Sequence, residues 1–386
     1  MKIVSAIFLL LCLLACGSER TQTDNSQTVY GVNHANVCTL TVVDSIGVEL
    51  GDSNYVFGAI RNVAIGPGGD IFAVDWIKCT IFRYSSSGDF IQRIGRRGSG
   101  PGEMLQPGNP AILDDGSICV FDYELGWQRY DSDGISISSG PFLRPFPMQI
   151  MALDSTSVLG MLSGLSREDN YLITNKRICR WDADDPDSVQ VEYFCSEYLL
   201  DAVDIIQFRK DIVRVDFFPI LFTAGHGFVC VAPEPRTEPL LLLFHEDASV
   251  MDTLTLPYPE VTRTEEEILE QKRFVEELFY HTSRYTHQVE WEPFLNKPMI
   301  TNLGVDSLNR IWVQRGFEQC PTFDLYDTSG EHLMTAVLPG RDDTDHWKFN
   351  ISRRGILAVP EDPESYYSVY MIRFAEVKQN ASKWEK

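Results

Sequence analysis

A chain of 386 residues, 44% hydrophobic and 23% charged, is long enough to bury a large core and too apolar to be broadly disordered. Its formal net charge of -22 disfavours nucleic acid and anionic lipid surfaces, both of which call for a basic face. A cationic ligand or a basic protein partner remains compatible with that balance.

The chain opens with Lys2 and an apolar run from Ile3 to Leu14 that is too short to span a bilayer comfortably. The stretch LLACG at 13–17 resembles a bacterial lipobox, in which small residues precede a cysteine that is lipidated and becomes the mature N-terminus. The resemblance implies a signal peptide over 1–15 and a lipid on Cys16. The polar residues that follow read as a flexible tether, 16–37. Gly17 supplies no acidic retention signal, which points to the outer membrane of a bacterial cell envelope, with membrane contact through the lipid anchor alone. Beyond Cys16 come Cys38, Cys79, Cys119, Cys179, Cys195, Cys230 and Cys320. An odd set cannot pair completely within one chain, and none lies in a CxxC. Several sit in strand-like runs such as SICVF and GFVCV, so they read as small buried hydrophobes. An oxidising compartment leaves one or two disulfides open.

After the tether, CTLTVVDSIGV (38–48) is strand-like. A pattern then repeats over 63–95, 111–134 and 303–333: apolar strand, polar turn, second strand, third strand carrying an aromatic, Gly turn, fourth strand. Weaker copies lie at 150–182, 220–256 and 348–377. Four antiparallel strands in some forty residues make a β-propeller blade, and six are counted. The last copy stops after its third strand. Because an unclosed ring would expose a sheet edge, 38–48 is expected to complete that blade as its outer strand. The fold class is therefore all-β, a six-bladed propeller over 38–378, with a C-terminal tail at 379–386. One segment departs from it: TRTEEE at 262–267 opens a helix expected to reach about Tyr285, with Thr262 or Thr264 as cap and Glu265 or Glu267 three residues on. Its apolar residues Ile268, Val275, Leu278 and Phe279 fall on one face, as in an insertion laid over the disc between the fourth and fifth blades.

The stretch IGRRGSGPGEM (94–104) looks like a phosphate loop, yet no Gly-Lys-Ser/Thr and no helix follow it. It reads instead as a crossover from the first blade to the second. The longer run GGDIFAVDWIKCTIFRYSSSGDFIQRIGRRGSGPGEM resembles an NHL-type repeat with its trailing glycine crossover. Together with the lipobox, it makes the chain similar to bacterial six-bladed β-propeller lipoproteins. The resemblance is strong over 58–134 and fair over 298–340. It implies a propeller at the cell envelope, without a defined activity.

Local catalytic motifs are lacking. His34, His226, His245, His281, His287, His332 and His346 include no HExxH pair, and there is no GxSxG elbow. A propeller can still assemble a site from distant residues. The ends of the second strands and the loops after them nominate Asp75, Trp76, Asp122, Glu234, Gln314, Arg315 and Glu361. The beginnings of the first strands nominate Arg61, Asn62, Asn109, Arg144, Asn302 and Trp347. Asp75 and Asp122 recur at one repeat position, which suits turn architecture better than chemistry. Two functions remain. One is a non-catalytic platform binding an envelope protein, peptide or glycan, without cofactor. The other is a metal-dependent hydrolase or lyase, lactonase-like, holding a divalent ion in the channel. The scattered histidines favour the platform.

Overall fold

The computed structural model describes residues 36–140, 146–201, 203–204, 220–282, 292–340, 347–361, 363 and 365–375. The signal peptide, Cys16, nearly all of the tether, Arg144, residues 283–285 of the expected helix and the C-terminal tail lie outside them. Strand β1 (Val37–Ile46) opens the described chain. Blade one is β2 (Ile60–Ile65), β3 (Ile71–Asp75), β4 (Thr80–Tyr84) and β5 (Phe90–Ile94). Blade two is β6 (Pro107–Ile112), β7 (Ile118–Asp122), β8 (Gly126–Tyr130) and β9 (Ser136–Ser139). Blade three is β10 (Phe146–Ala152), β11 (Ser157–Glu168), β12 (Tyr171–Asp182) and β13 (Val189–Asp201). Blade four is β14 (Leu221–Gly225), β15 (Phe228–Ala232), β16 (Leu240–His245) and β17 (Val250–Thr255). Blade five is β18 (Ile300–Val305), β19 (Ile311–Arg315), β20 (Thr322–Tyr326) and β21 (His332–Val337). Blade six is β22 (Trp347–Ser352), β23 (Gly355–Pro360) and β24 (Val369–Phe374), completed by β1.

The packing explains why the second strands are apolar throughout, as in ICVFD and FVCVA. Successive side chains point to opposite faces of a blade, and each face meets another blade. Ile71 and Ala73 of β3 join a core shared with blade six. Phe72 and Val74 join one shared with blade two. Among the described residues six such cores occur, one at each blade-to-blade contact around the ring. Cys79, Cys119, Cys179 and Cys230 share this burial, whereas Cys195 is exposed. All seven in the described chain are free thiols, and burial pushes Cys119, Cys179 and Cys230 up to about 12.

The outer strand of blade six comes from the beginning of the chain, as the incomplete last repeat requires. β1 runs antiparallel to β24, from Leu40 opposite Phe374 to Ile46 opposite Val369. It also runs parallel to the outer strand of blade five, Val37 to Thr39 against Thr335 to Val337. Blades five and six thus share one eight-stranded sheet.

Helix α1 (Glu265–Thr282) lies between blades four and five in chain order. Its N-terminus is a reciprocal cap: the Thr264 amide donates to Glu267 at 2.8 Å, and the Glu267 amide donates to the Thr264 hydroxyl at 3.2 Å. Blade three departs most from the repeat, since its last three strands run 12, 12 and 13 residues.

The glycine stretch is a crossover. Glu103 turns back into its own loop, accepting the Gly100 amide at 2.8 Å and Arg96 Nε at 2.9 Å. The Gly100 amide first, and then Arg96, hold its carboxyl below the usual range. A Cβ at Gly98 would sit 2.0 Å from the Glu103 carboxylate, and Gly102 has φ 72°. The glycines admit the Glu103 carboxylate into the loop, where the Gly100 amide and Arg96 already hold it.

Candidate functional site

The first strands of all six blades line a central cavity of about 590 Å³. Each contributes a polar side chain: Asn62, Asn109, Gln149, Thr223, Asn302 and Asn350. A repeated irregularity helps to place them. In blades one, two, three and five the first strand slips register against the second, between Ile60 and Asn62, Pro107 and Pro110, Pro147 and Gln149, and Ile300 and Asn302. A bulge of this kind bends the strand and re-aims its side chains. Blades four and six keep regular register. The amides are also tied sideways. Asn62 Nδ2 donates to Asn109 Oδ1, and Asn302 Nδ2 donates to the Phe349 carbonyl at 2.7 Å.

Charge enters the lining at both ends. Near the mouth, where the first strands begin, Lys348 pairs with Glu361 at 2.8 Å. Arg236, from the loop after β15, also lines the cavity, with its guanidinium over the Phe294 ring at 5.2 Å. Burial, and then the neighbouring Arg263, lower its pKa to about 10. At the far end the turn between β22 and β23 reaches across to other blades. Arg353 donates to the Leu153 carbonyl at 2.9 Å. Arg354 donates to the carbonyls of Ile65 and Ile112, each at 2.9 Å, and pairs with Asp114. This turn forms a floor. Glu361 is the only carboxylate on the lining among the described residues. No group of three or more His, Cys, Asp or Glu side chains suited to a metal occurs among them.

The nominated residues divide sharply. Asn109 and Gln314 line the cavity, as do Asn62, Asn302, Trp347 and Glu361. Arg61 and Trp76 stand outside the lining on the mouth side; Arg61 stacks over Tyr123 at 5.0 Å. Glu234 is exposed and caps its own turn by way of Thr237 at 3.3 Å.

Three nominated side chains are buried and already engaged within the blade, as the turn reading of Asp75 and Asp122 expects. Asp75 accepts the amides of Gly58 at 2.7 Å, Ala59 at 3.3 Å and Lys78 at 2.9 Å. Asp122 accepts those of Leu105 and Gln106 at 2.8 Å, Glu124 at 2.9 Å and Leu125 at 3.0 Å. Arg315, 3% exposed, meets Asp324, 1% exposed, through Nε at 2.7 Å and a second nitrogen at 2.9 Å. Thr335 and Tyr258 donate to the same carboxylate at 2.6 and 2.8 Å. Burial alone would raise the Asp324 carboxyl, but the Arg315 contact and these donors hold it below its ordinary value.

Sequence reasoning missed Gln149, Thr223, Arg236, Lys348, Asn350, Arg353 and Arg354. The usable signal was ISRRGIL, two arginines in the turn after a first strand. Any such turn lies at the channel's far end. His226, also in such a turn, is exposed, and its backbone exchanges hydrogen bonds with Asn309 at 2.7 and 3.3 Å.

The model of the DUF5128 family, a six-bladed beta-propeller, matches residues 22–185. No curated protein matches the chain. Among solved structures, a Bacteroides fragilis protein described as exported is 12% identical, with TM-score 0.48, covering 88% of this chain and all of its own. A Bacteroides vulgatus protein of the DUF4221 family is 10% identical, with TM-score 0.49, covering 87% of this chain and 98% of its own. A Xanthomonas campestris gluconolactonase is 9% identical, with TM-score 0.43, covering 86% and 99%. The family match and the six inter-blade cores make this chain similar to bacterial propellers and, in architecture, a six-bladed β-propeller.

Proposed function

We propose that the chain is a non-catalytic binding platform, anchored to a bacterial envelope through Cys16, that presents its channel mouth to a peptide, glycan or protein. The observation that carries this reading is the polar lining drawn from all six first strands, with Asn62, Asn109, Gln149 and Asn302 at one repeat position beside the bulge. Side-chain amides offer donors and acceptors together, which suits hydroxyls and peptide groups, and a cavity of this size is ordinary for a small-ligand site. Asn109 and Gln314 are its first contacts, with Arg61 and Trp76 on the rim.

The test is a thermal-shift screen of neutral and charged oligosaccharides and short peptides, repeated with Asn109→Ala. A ligand whose stabilisation depends on Asn109 supports the reading. A screen without any stabilising compound opposes it. For the anchor, Cys16→Ser should move the protein from the membrane to the soluble fraction, and continued retention would remove the lipid from the proposal. The metal-dependent alternative ranks lower because the one carboxylate on the described lining is already held by Lys348. One tightly bound divalent ion per chain, with a melting shift on chelation, would reverse that ranking.

A further inference from the structure

The charged side chains on the cavity lining are already engaged. Lys348 pairs with Glu361 at 2.8 Å, and Arg354 pairs with Asp114. Arg353 donates to the Leu153 carbonyl, and Arg354 to those of Ile65 and Ile112. Arg236 lies over Phe294 and is further engaged within the chain. The neutral side chains differ. Among the described residues, the side chains of Gln149, Gln314 and Asn350 make no hydrogen bond within the chain. Asn62 and Asn302 each use the amide nitrogen and keep the oxygen, while Asn109 uses the oxygen and keeps the nitrogen. All six line the cavity, and none of their unbonded amide atoms is buried. This division selects by charge. An ionic ligand would give up its hydration and meet no uncommitted counter-charge on the described lining. A neutral hydroxyl exchanges water for an amide at little net cost, and it both donates and accepts, as the amide groups do together.

We infer that the channel takes an uncharged sugar of one or two rings, in preference to charged sugars and to peptides. This rests on the binding reading above and narrows it to a neutral glycan. The open amides stand around the channel, with Gln149 on blade three and Asn350 on blade six, the blade opposite. Hydroxyls that radiate from a sugar ring match that placement. Met151 and Phe222 on the lining give apolar surface to the C–H faces of the ring, and the cavity of about 590 Å³ accommodates such a ligand. A peptide fits less well. The turn carrying Arg353 and Arg354 crosses the far end, so an extended chain enters only by a terminus, and a free terminus is charged.

The experiment titrates the full chain by ligand-observed NMR, in low and high salt. The neutral probes are glucose, galactose, mannose, xylose, cellobiose and lactose. The charged probes are glucuronate, galacturonate, glucosamine and galactosamine, and the peptide probe is a dipeptide blocked at both ends. At least one neutral sugar should bind, more tightly than every charged probe, with an affinity that does not change with salt. Gln149→Ala and Asn350→Ala should each weaken that sugar about three- to tenfold, as loss of one or two neutral hydrogen bonds implies, with the melting temperature showing that the fold is intact. A charged sugar that binds as tightly as the neutral ones overturns the assignment. So does a neutral-sugar affinity that falls as salt rises, or one that ignores both variants. If the blocked dipeptide binds through Asn109 and no sugar binds, this inference fails and the platform reading survives. If no probe binds, both fail.

Discussion

Blades one and two place an aspartate at the end of the second strand, whereas blade five places an arginine there. Asp75, Asp122 and Arg315 stand opposite Ile60, Pro107 and Ile300 at the start of each first strand. In blades one and two the carboxylate collects backbone amides from the incoming crossover and from the next turn. In blade five the guanidinium turns to Asp324 on the neighbouring strand. One position thus fixes the blade's corner by two chemistries. A charged residue at this second-strand corner is a poor candidate for ligand contact, because its hydrogen-bonding groups are already taken by the blade's own corner.

Breaking the blade-five corner should have the largest effect. Asp324→Ala leaves the buried Arg315 guanidinium with Glu318, at 3.1 Å, in place of its bidentate partner, and loss of one partner of a buried pair costs about 3–5 kcal/mol. Urea unfolding should show it, and a loss below about 1 kcal/mol would mean that Arg315 finds other compensation. Replacing both charges, as in Arg315→Met with Asp324→Leu, should recover most of the loss.

The same corner sharpens with pH. Asp324 is held below its ordinary value, so its stabilisation is complete above the unfolded carboxylate pKa, about 3.9, and fades as pH falls toward the folded value. The melting-temperature gap between wild type and Asp324→Asn should be widest near neutrality and narrow below about pH 4. A gap that stays constant to pH 3 would assign the effect to packing.

The aspartate corners should be weaker, since no buried cation is stranded. Asp122→Ala leaves four amides without their carboxylate and should cost about 1–3 kcal/mol. If Asp122→Ala proves costlier than Asp324→Ala, the ranking of the two chemistries is reversed.

These corners show what sequence can and cannot convey. The fold was legible because each blade repeats its own turns, and because strands packed on both faces must read as apolar runs. The missing fourth strand of the last repeat even pointed to β1. The long strands of blade three were not legible, since their alternation beyond Gly164 follows no other blade. Arg315 was nominated from its register at the end of a second strand, and its partner on the next strand shows only in the folded chain. Asp324, within the otherwise apolar TFDLY, was the available clue, for an acid there demands a buried cation. The arginines of ISRRGIL were a usable signal, but which blades Arg353 and Arg354 reach, and that Lys348 faces the channel, shows only once the ring closes.

The smallest effect separates rim from channel. Arg61 stacks on Tyr123 outside the lining, so Arg61→Ala should cost at most about 1 kcal/mol of stability. Its effect on binding depends on ligand size. A monosaccharide held among Asn62, Asn109 and Asn302 should lose affinity with Asn109→Ala and keep it with Arg61→Ala. A longer glycan or a protein extends over the mouth and should respond to both. Measured side by side, a monosaccharide that responds to Arg61→Ala and ignores Asn109→Ala would move the site from the channel to the rim, restoring Arg61 and Trp76 as its centre.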